Sequence, residues 1–305
     1  MKWHVHSLVI LIGTLICSTV SGVVSQAGHA LPATEISKIA KSITVLIDGQ
    51  DPGSGVLFSK DGSSYYVLTA NHVVQYPDLP YVVQTPDQKR YPVDYQKIRR
   101  LPGVDLAVVT FKSKEQYKVA KLTDSDQVTE GSPVFIGGFP NPGEGIKERF
   151  YRFTEGVVSG RPTKPLPGGY ALIYSNITRA GFSGGPVLDA NGRLLGIHGQ
   201  GEADNVSSNE AGQPARIKTG FNMGIPINTF ITLVTKSGLN LHLSIDNSTS
   251  PTAVTPSSHS PQIGNPIQIP SPTNASPTPS TTLTPPPRIR PTNIPQSPIC
   301  AGTRC

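Results

Sequence analysis

Cysteine is nearly absent from this chain. Its 305 residues hold 3 cysteines: Cys17 near the start, and Cys300 and Cys305 among the last six residues. The late pair can close a small loop or join two chains, but no disulfide can staple the long region between. That region must hold by packing alone, unlike small secreted domains. Charge is sparse as well, at 15% against a usual quarter. The formal net charge is +6, but Lys2, Arg288, Arg290 and Arg304 sit near the ends and leave 22 basic and 19 acidic residues in the middle. No block of five basic residues occurs. A nucleic-acid partner, which would need a clustered phosphate-neutralising patch, is therefore not indicated. No Gly-x-Gly-x-x-Gly, no phosphate-binding loop and no internal repeat is found. The close pair His4 and His6 lies at the extreme start, and no His/Cys/Asp/Glu cluster has ligand spacing elsewhere. Neither a metal nor another cofactor is expected.

Long apolar runs are missing too. The stretch Leu8–Ile16 is broken by Gly13 and Thr14 and is too short to cross a bilayer comfortably. Behind Lys2 it reads as the core of an export signal, residues 1–27, with small residues at Ser25 and Ala27 for cleavage and a second candidate at Gly28-His29-Ala30. An uncleaved anchor is the alternative. Proline, by contrast, is abundant at 30 residues, and 14 of these fall between Pro251 and Cys305. Such a segment cannot bury enough apolar surface to offset its chain entropy. Residues 246–305 are thus expected to form a disordered Pro/Ser/Thr-rich tail, an extended spacer suited to holding a domain off a cell surface. About 215 residues remain between leader and tail, enough for one large domain or two small barrels.

Those residues, 31–245, read as many short strands. Runs such as Gly55–Ser59, Tyr65–Ala70, Tyr81–Gln84, Asp105–Phe111, Val134–Gly137 and Leu194–His198 are punctuated by Gly, Pro, Asn and Asp. This pattern predicts an all-β barrel or sandwich. One helix is predicted from Ala33 to Ile43 with Thr34 as its cap, and a closing helix capped by Asn228 and stopped by Gly238.

Three segments carry chemistry: Leu68-Thr69-Ala70-Asn71-His72-Val73-Val74, Val104-Asp105-Leu106-Ala107-Val108-Val109 and Gly181-Phe182-Ser183-Gly184-Gly185-Pro186-Val187. Each has a plain structural explanation alone: a satisfied histidine, a turn aspartate, a flexible loop. Together they fit acyl transfer, which needs a weak hydroxyl, a base to activate it and a third group to orient the base. Ser183 supplies the hydroxyl, His72 the base and Asp105 the orienting carboxylate. The glycines around Ser183 free backbone N–H groups to converge on an oxyanion.

On these segments the sequence resembles the trypsin-like, chymotrypsin-fold serine proteases, nearest to the Deg/HtrA kind. Gly53-Ser54-Gly55-Val56, Leu195-Gly196-Ile197 and Gly224-Ile225-Pro226 support the likeness. The resemblance implies two six-stranded antiparallel β-barrels, about 42–120 and 127–238, with the active site between them. It implies an oxyanion hole from the N–H groups of Gly181 and Ser183, and protein or peptide substrates. Where many relatives place Asp before the nucleophile stands Phe182, so activation by a freshly cut N-terminus is not expected. Phe182 either locks the oxyanion turn or fills a gap. The Pro-rich tail follows where Deg/HtrA proteins carry a PDZ domain, so PDZ-regulated assembly is not expected either.

Counting back from Ser183 along the family pattern puts Ile177 at the floor of the substrate pocket, with walls at His198, Gly199, Gly220 and Phe221. His198 has a second reading, as a hydrogen bonder behind the site. An apolar floor cannot pair a Lys or Arg side chain, so cleavage after small or medium apolar residues is expected. Arg179 and Asp189 read as solvated charges. The whole then reads as an exported serine endopeptidase of the periplasm, cell envelope or exterior, whose oligomeric state the sequence leaves open. The rival is a catalytically silent peptide-binding protein on the same fold.

Overall fold

The alternation Tyr81-Val82-Val83-Gln84 buries Tyr81 and Val83 and leaves Val82 and Gln84 half covered, as a strand with one face on a core requires. Similar patterns recur along the chain. The computed structural model describes residues 30–77, 79–206, 215–236, 241–246 and 248. The expected leader, the tail beyond Ser248 with Cys300 and Cys305, and Gly238 lie outside the described residues.

Among the described residues, thirteen strands form two antiparallel sheets. The first comprises β1 (Thr44–Asp48), β2 (Gly53–Asp61), β3 (Ser64–Thr69), β4 (Tyr81–Gln84), β5 (Arg90–Val93), β6 (Arg99–Arg100) and β7 (Ala107–Lys112), in the order β5-β4-β1-β2-β3-β7-β6. The second comprises β8 (Pro133–Gly138), β9 (Arg152–Gly160), β10 (Leu172–Tyr174), β11 (Pro186–Leu188), β12 (Leu194–Val206) and β13 (Ala215–Pro226). These close into a barrel in the order β10-β13-β12-β11-β8-β9. The expectation of two closed six-stranded barrels holds for the second sheet only. The first has seven strands and stays open, because its edge strands β5 and β6 are short, carry exposed Arg90, Arg99 and Arg100, and include Pro92, which has no N–H to donate. Side chains bridge the gap instead: Tyr91 of β5 stacks on Phe111 of β7 at 4.8 Å, and its hydroxyl meets that of Ser113 at 2.9 Å.

Among the described residues, the helices α1 (Ala33–Ile43) and α2 (Ile227–Lys236) cover the sheets. α1 buries Ile36, Ala40 and Ile43, spaced at four and three residues on one helical face. Its N-cap position is Pro32 and no side chain caps it, so Thr34 does not play that part. Asn228 lies inside α2 and reaches across to the 124–126 turn, accepting from Ser125 N–H and donating to Asp124. Ile36 and Phe230 meet Phe58, Leu106, Leu122 and Ile197 in one core that joins both sheets.

The chain after α2 returns to this core. Leu122 N–H donates to Ser244 C=O, Asp246 N–H donates to Leu122 C=O, and Arg193 donates to the Asp246 carbonyl. Hydrogen bonds from Arg193 thus reach the chain as far as Ser248. Asp189 is a correction as well. Rather than solvated, it is 5% exposed and pairs with the equally buried Arg193 at 2.6 Å. No helix of the described residues is long and apolar enough to cross a membrane.

Candidate active site

His72 sits in a single turn, Asn71–Val74, that follows β3; buried Val73 and Val74 anchor it. Asp105 precedes β7 in a loop tied at both ends. Its N–H donates to Gly168 C=O from the barrel side, and its C=O accepts from Asn71 N–H beside the histidine. The loop therefore bridges the two sheets, and its carboxylate meets His72 twice. The Nδ1 atom lies 2.7 Å from one oxygen and the backbone N–H donates to the other at 2.9 Å.

A third donor was not foreseen. The Tyr170 hydroxyl donates to the Asp105 oxygen that faces Nδ1. Room for this ring comes from Gly199, where a Cβ would approach the ring of Tyr170 to 2.1 Å. Partial burial pushes the Asp105 carboxyl up, but the hydrogen bonds and charge of His72 and the bond from Tyr170 outweigh it, leaving it below the ordinary carboxylate value. Burial, and then Asp105 itself, push the Tyr170 phenol up, so it stays a proton donor.

Ser183 lies in the turn before β11, and its hydroxyl donates to Gly199 C=O at 2.8 Å. It makes no hydrogen bond to His72, although both line one cleft. Resting contacts of this kind often differ from those formed with substrate. Gly181 has φ +97, and a Cβ there would stand 2.6 Å from Phe139 C=O. The carbonyl between Ala180 and Gly181 is held by Asn141 N–H at 2.8 Å. In a trans peptide this turns the Gly181 N–H the opposite way. Neither it nor the Ser183 N–H finds an acceptor among the described residues.

Ser54 fastens this turn to the first sheet. Its N–H donates to Ser183 C=O at 2.8 Å, and its hydroxyl donates to Gly181 C=O at 2.7 Å while accepting from Phe139 N–H. Ser54→Ala should therefore lower kcat tenfold to a hundredfold, in rough terms, with KM held within about threefold, because the turn loosens without losing a substrate contact. It should also cost about 2–4 kcal/mol of stability, since a buried donor and a buried acceptor lose their partner. Steady-state kinetics and a denaturant titration would check both, and an unchanged kcat would remove Ser54 from the account. Phe182 is 2% exposed and packs in the barrel core edge-on to His198. It thereby anchors the Gly181–Ser183 turn from beneath.

The substrate-pocket expectations divide. His198 and Gly199 line the cleft beside Ser183. Ile177 does not: it is 82% exposed, pointing away from the cleft. Phe221 is turned to a separate groove with Leu166 and Met223, and Gly220, at φ +97, is the exposed hinge next to it. The residues missed by counting are Arg179 and Lys218, both on the cleft wall. No cluster of metal-binding side chains occurs among the described residues.

His198 is buried and its Nδ1 lies 2.7 Å from the hydroxyl of Tyr174. Burial first, then Lys218 and His72, lower its pKa from 6.5 to about 3. The folded protein thus holds it neutral in a range where the unfolded chain takes up a proton. Between pH 6.5 and 3 the unfolded state binds more protons, so stability falls as pH falls, by about 1.4 kcal/mol per unit from this group. Asp105 acts in the same direction lower down, its contribution being lost as pH drops from 3.8 through its lowered value. Thermal melts from pH 7.5 to 4.5 should show a steady decline that His198→Gln flattens; parallel curves for the two proteins would contradict this.

A family model described as a trypsin-like peptidase domain matches residues 53–197. Among curated proteins, the serine protease Do-like HtrB of Bacillus subtilis is 30% identical over 157 residues, covering 48% of this chain and 32% of its own. The periplasmic serine endoprotease DegP of Salmonella typhimurium is 31% identical over 150 residues, covering 48% and 29%. The chain spans about a third of the length of these curated relatives. Among solved structures, an HtrA-type protease AlgW with a tripeptide superimposes with a TM-score of 0.51 at 22% identity, over 69% of this chain and 64% of the other.

Proposed function

We propose that this chain, whose residues 53–197 match a trypsin-like peptidase domain and which is similar to Do-like/HtrA serine proteases, is an exported serine endopeptidase that works through an acyl-enzyme. The observation that carries the reading is the doubly bonded His72–Asp105 pair, facing one cleft with Ser183 and two unpaired N–H groups. The Ser183 hydroxyl swings from Gly199 C=O to His72 Nε2 as a peptide enters. His72 takes its proton while Ser183 Oγ attacks the carbonyl, and Asp105 keeps the imidazole in the needed tautomer and supports its positive form. The Gly181 and Ser183 N–H groups hold the oxyanion. His72 then protonates the leaving amine, and water repeats the sequence to free the acid.

Export is supported by the leader-like start of the sequence and by relatives named as periplasmic. The Pro-rich tail, on its composition, acts as a spacer between the peptidase domain and an envelope surface. Incubation of the purified chain with an unfolded protein, followed by mass spectrometry, tests the activity. Internal cleavages that disappear in Ser183→Ala are expected; an intact substrate would refute it.

A further inference from the structure

The cleft beside Ser183 is a cavity of about 550 Å³ whose lining carries two cations, Arg179 and Lys218, and one carboxylate, Asp105. Lys218, on β13, extends from beside Gly201, where a Cβ would lie 3.0 Å from its Nζ, to Thr178 C=O, which accepts from it at 3.0 Å. Its Nζ thus lies between Gly201 and Thr178 at the cleft and has two further N–H donors to give. Arg179 lies on the same wall, with one N–H on Pro142 C=O at 3.1 Å. Neither cation has a carboxylate partner among the described residues. The two are close enough that Arg179, after burial, helps to push the Lys218 pKa down.

His198 adds a neutral donor. Burial keeps the Tyr174 phenol protonated, and its one hydrogen-bond partner among the described residues is His198 Nδ1; assigning the phenol as donor places the ring proton on Nε2, which has no partner among the described residues. The carboxylate on the cleft wall is Asp105, already committed to His72 and Tyr170. Glu202 is turned to Thr219 and to the neighbouring groove. A cleft with two uncompensated cations and a neutral donor is complementary to an anion, and hostile to another cation.

We infer that this site selects an acidic side chain, glutamate or aspartate, immediately before the bond that is cut. The inference rests on the peptidase reading and replaces the apolar preference that Ile177 had suggested. A carboxylate entering beside Ser183 takes up the spare donors of Lys218 and, next to it, the Nε2–H of His198, while Arg179 adds attraction at the rim. Charge-assisted bonds of this kind are the stronger class and favour the ionised acid over its amide. A lysine or arginine side chain would be brought against two like charges.

The test uses the full chain and four peptides identical except at that position: Glu, Gln, Val and Lys. The expected order of kcat/KM is Glu, then Gln, then Val, then Lys, with Glu over Gln by about tenfold or more. Lys218→Gln should reduce that Glu-to-Gln ratio severalfold, Arg179→Gln less so, with melting temperature confirming that each variant folds. A Val or Lys peptide cleaved better than the Glu peptide, or a Glu-to-Gln ratio untouched by Lys218→Gln, would overturn the inference. Cleavage after Val faster than after Glu, in a reaction that requires Ser183, would sink the acidic preference alone. No cleavage of any peptide, with a Ser183 that resists a serine-directed phosphonate, would sink the peptidase reading and this inference with it.

Discussion

Replacing Ser183 by alanine is expected to lower peptide hydrolysis about a millionfold, to the background left by binding and oxyanion stabilisation. The change removes one oxygen from a side chain whose only hydrogen bond among the described residues is to Gly199 C=O. Its structural cost should be near 1 kcal/mol, so the melting temperature should move by only a few degrees. Large kinetic loss with small structural loss is the signature of a nucleophile. A turnover within tenfold of the original protein would show that Ser183 is not the attacking group.

Gly184→Ala should lose nearly as much activity for a different reason. Gly184 has φ +85, where an L side chain is strained, and a Cβ would stand 2.1 Å from Ser54 C=O and 2.2 Å from Thr69 Oγ1. Ser54 is hydrogen-bonded to the carbonyls of Gly181 and Ser183, and its own carbonyl already accepts from Thr69 at 2.7 Å. The backbone has to yield at Ser183 itself. We expect hydrolysis down by at least about a thousandfold and a melting temperature lower by roughly 10 °C. Gly62→Ala is the matched control: Gly62 also has positive φ, but a Cβ there meets nothing within 4 Å. It should cost about 1 kcal/mol and leave hydrolysis alone. Equal behaviour of the two variants would show that the close approach at Gly184 does not hold the turn.

The positions of His72, Asp105 and Ser183 along the chain were legible because each lies at the end of a patterned strand, among residues whose combination has few other uses. Their convergence on one cleft follows from the loops that the strands deliver. The closed barrel was legible in its strands as well, although the long arms of β12 and β13 were not. The open first sheet was hidden, because strands of two and four residues with exposed arginines carry no period to read. Counting to Ile177 failed since a loop count gives a place in sequence and not a side-chain direction. The charge of the cleft was missed for a related reason. Lys218 enters it from β13, and only the pairing of β13 with β12 brings it beside Gly201. The Asp189–Arg193 pair was invisible for want of any apolar marker, as its burial depends on the returning segment around Asp246.

The most direct test of the central claim is labelling by a serine-directed phosphonate, read by mass spectrometry of the intact chain and of its peptides. Such a reagent bonds only to a hydroxyl that a neighbouring base activates and an oxyanion hole assists. The account predicts one adduct, on Ser183, formed rapidly by the unmodified protein and almost not at all by His72→Ala. No adduct on a folded protein, or an equal rate without His72, would contradict it and leave a silent peptide-binding fold as the better description.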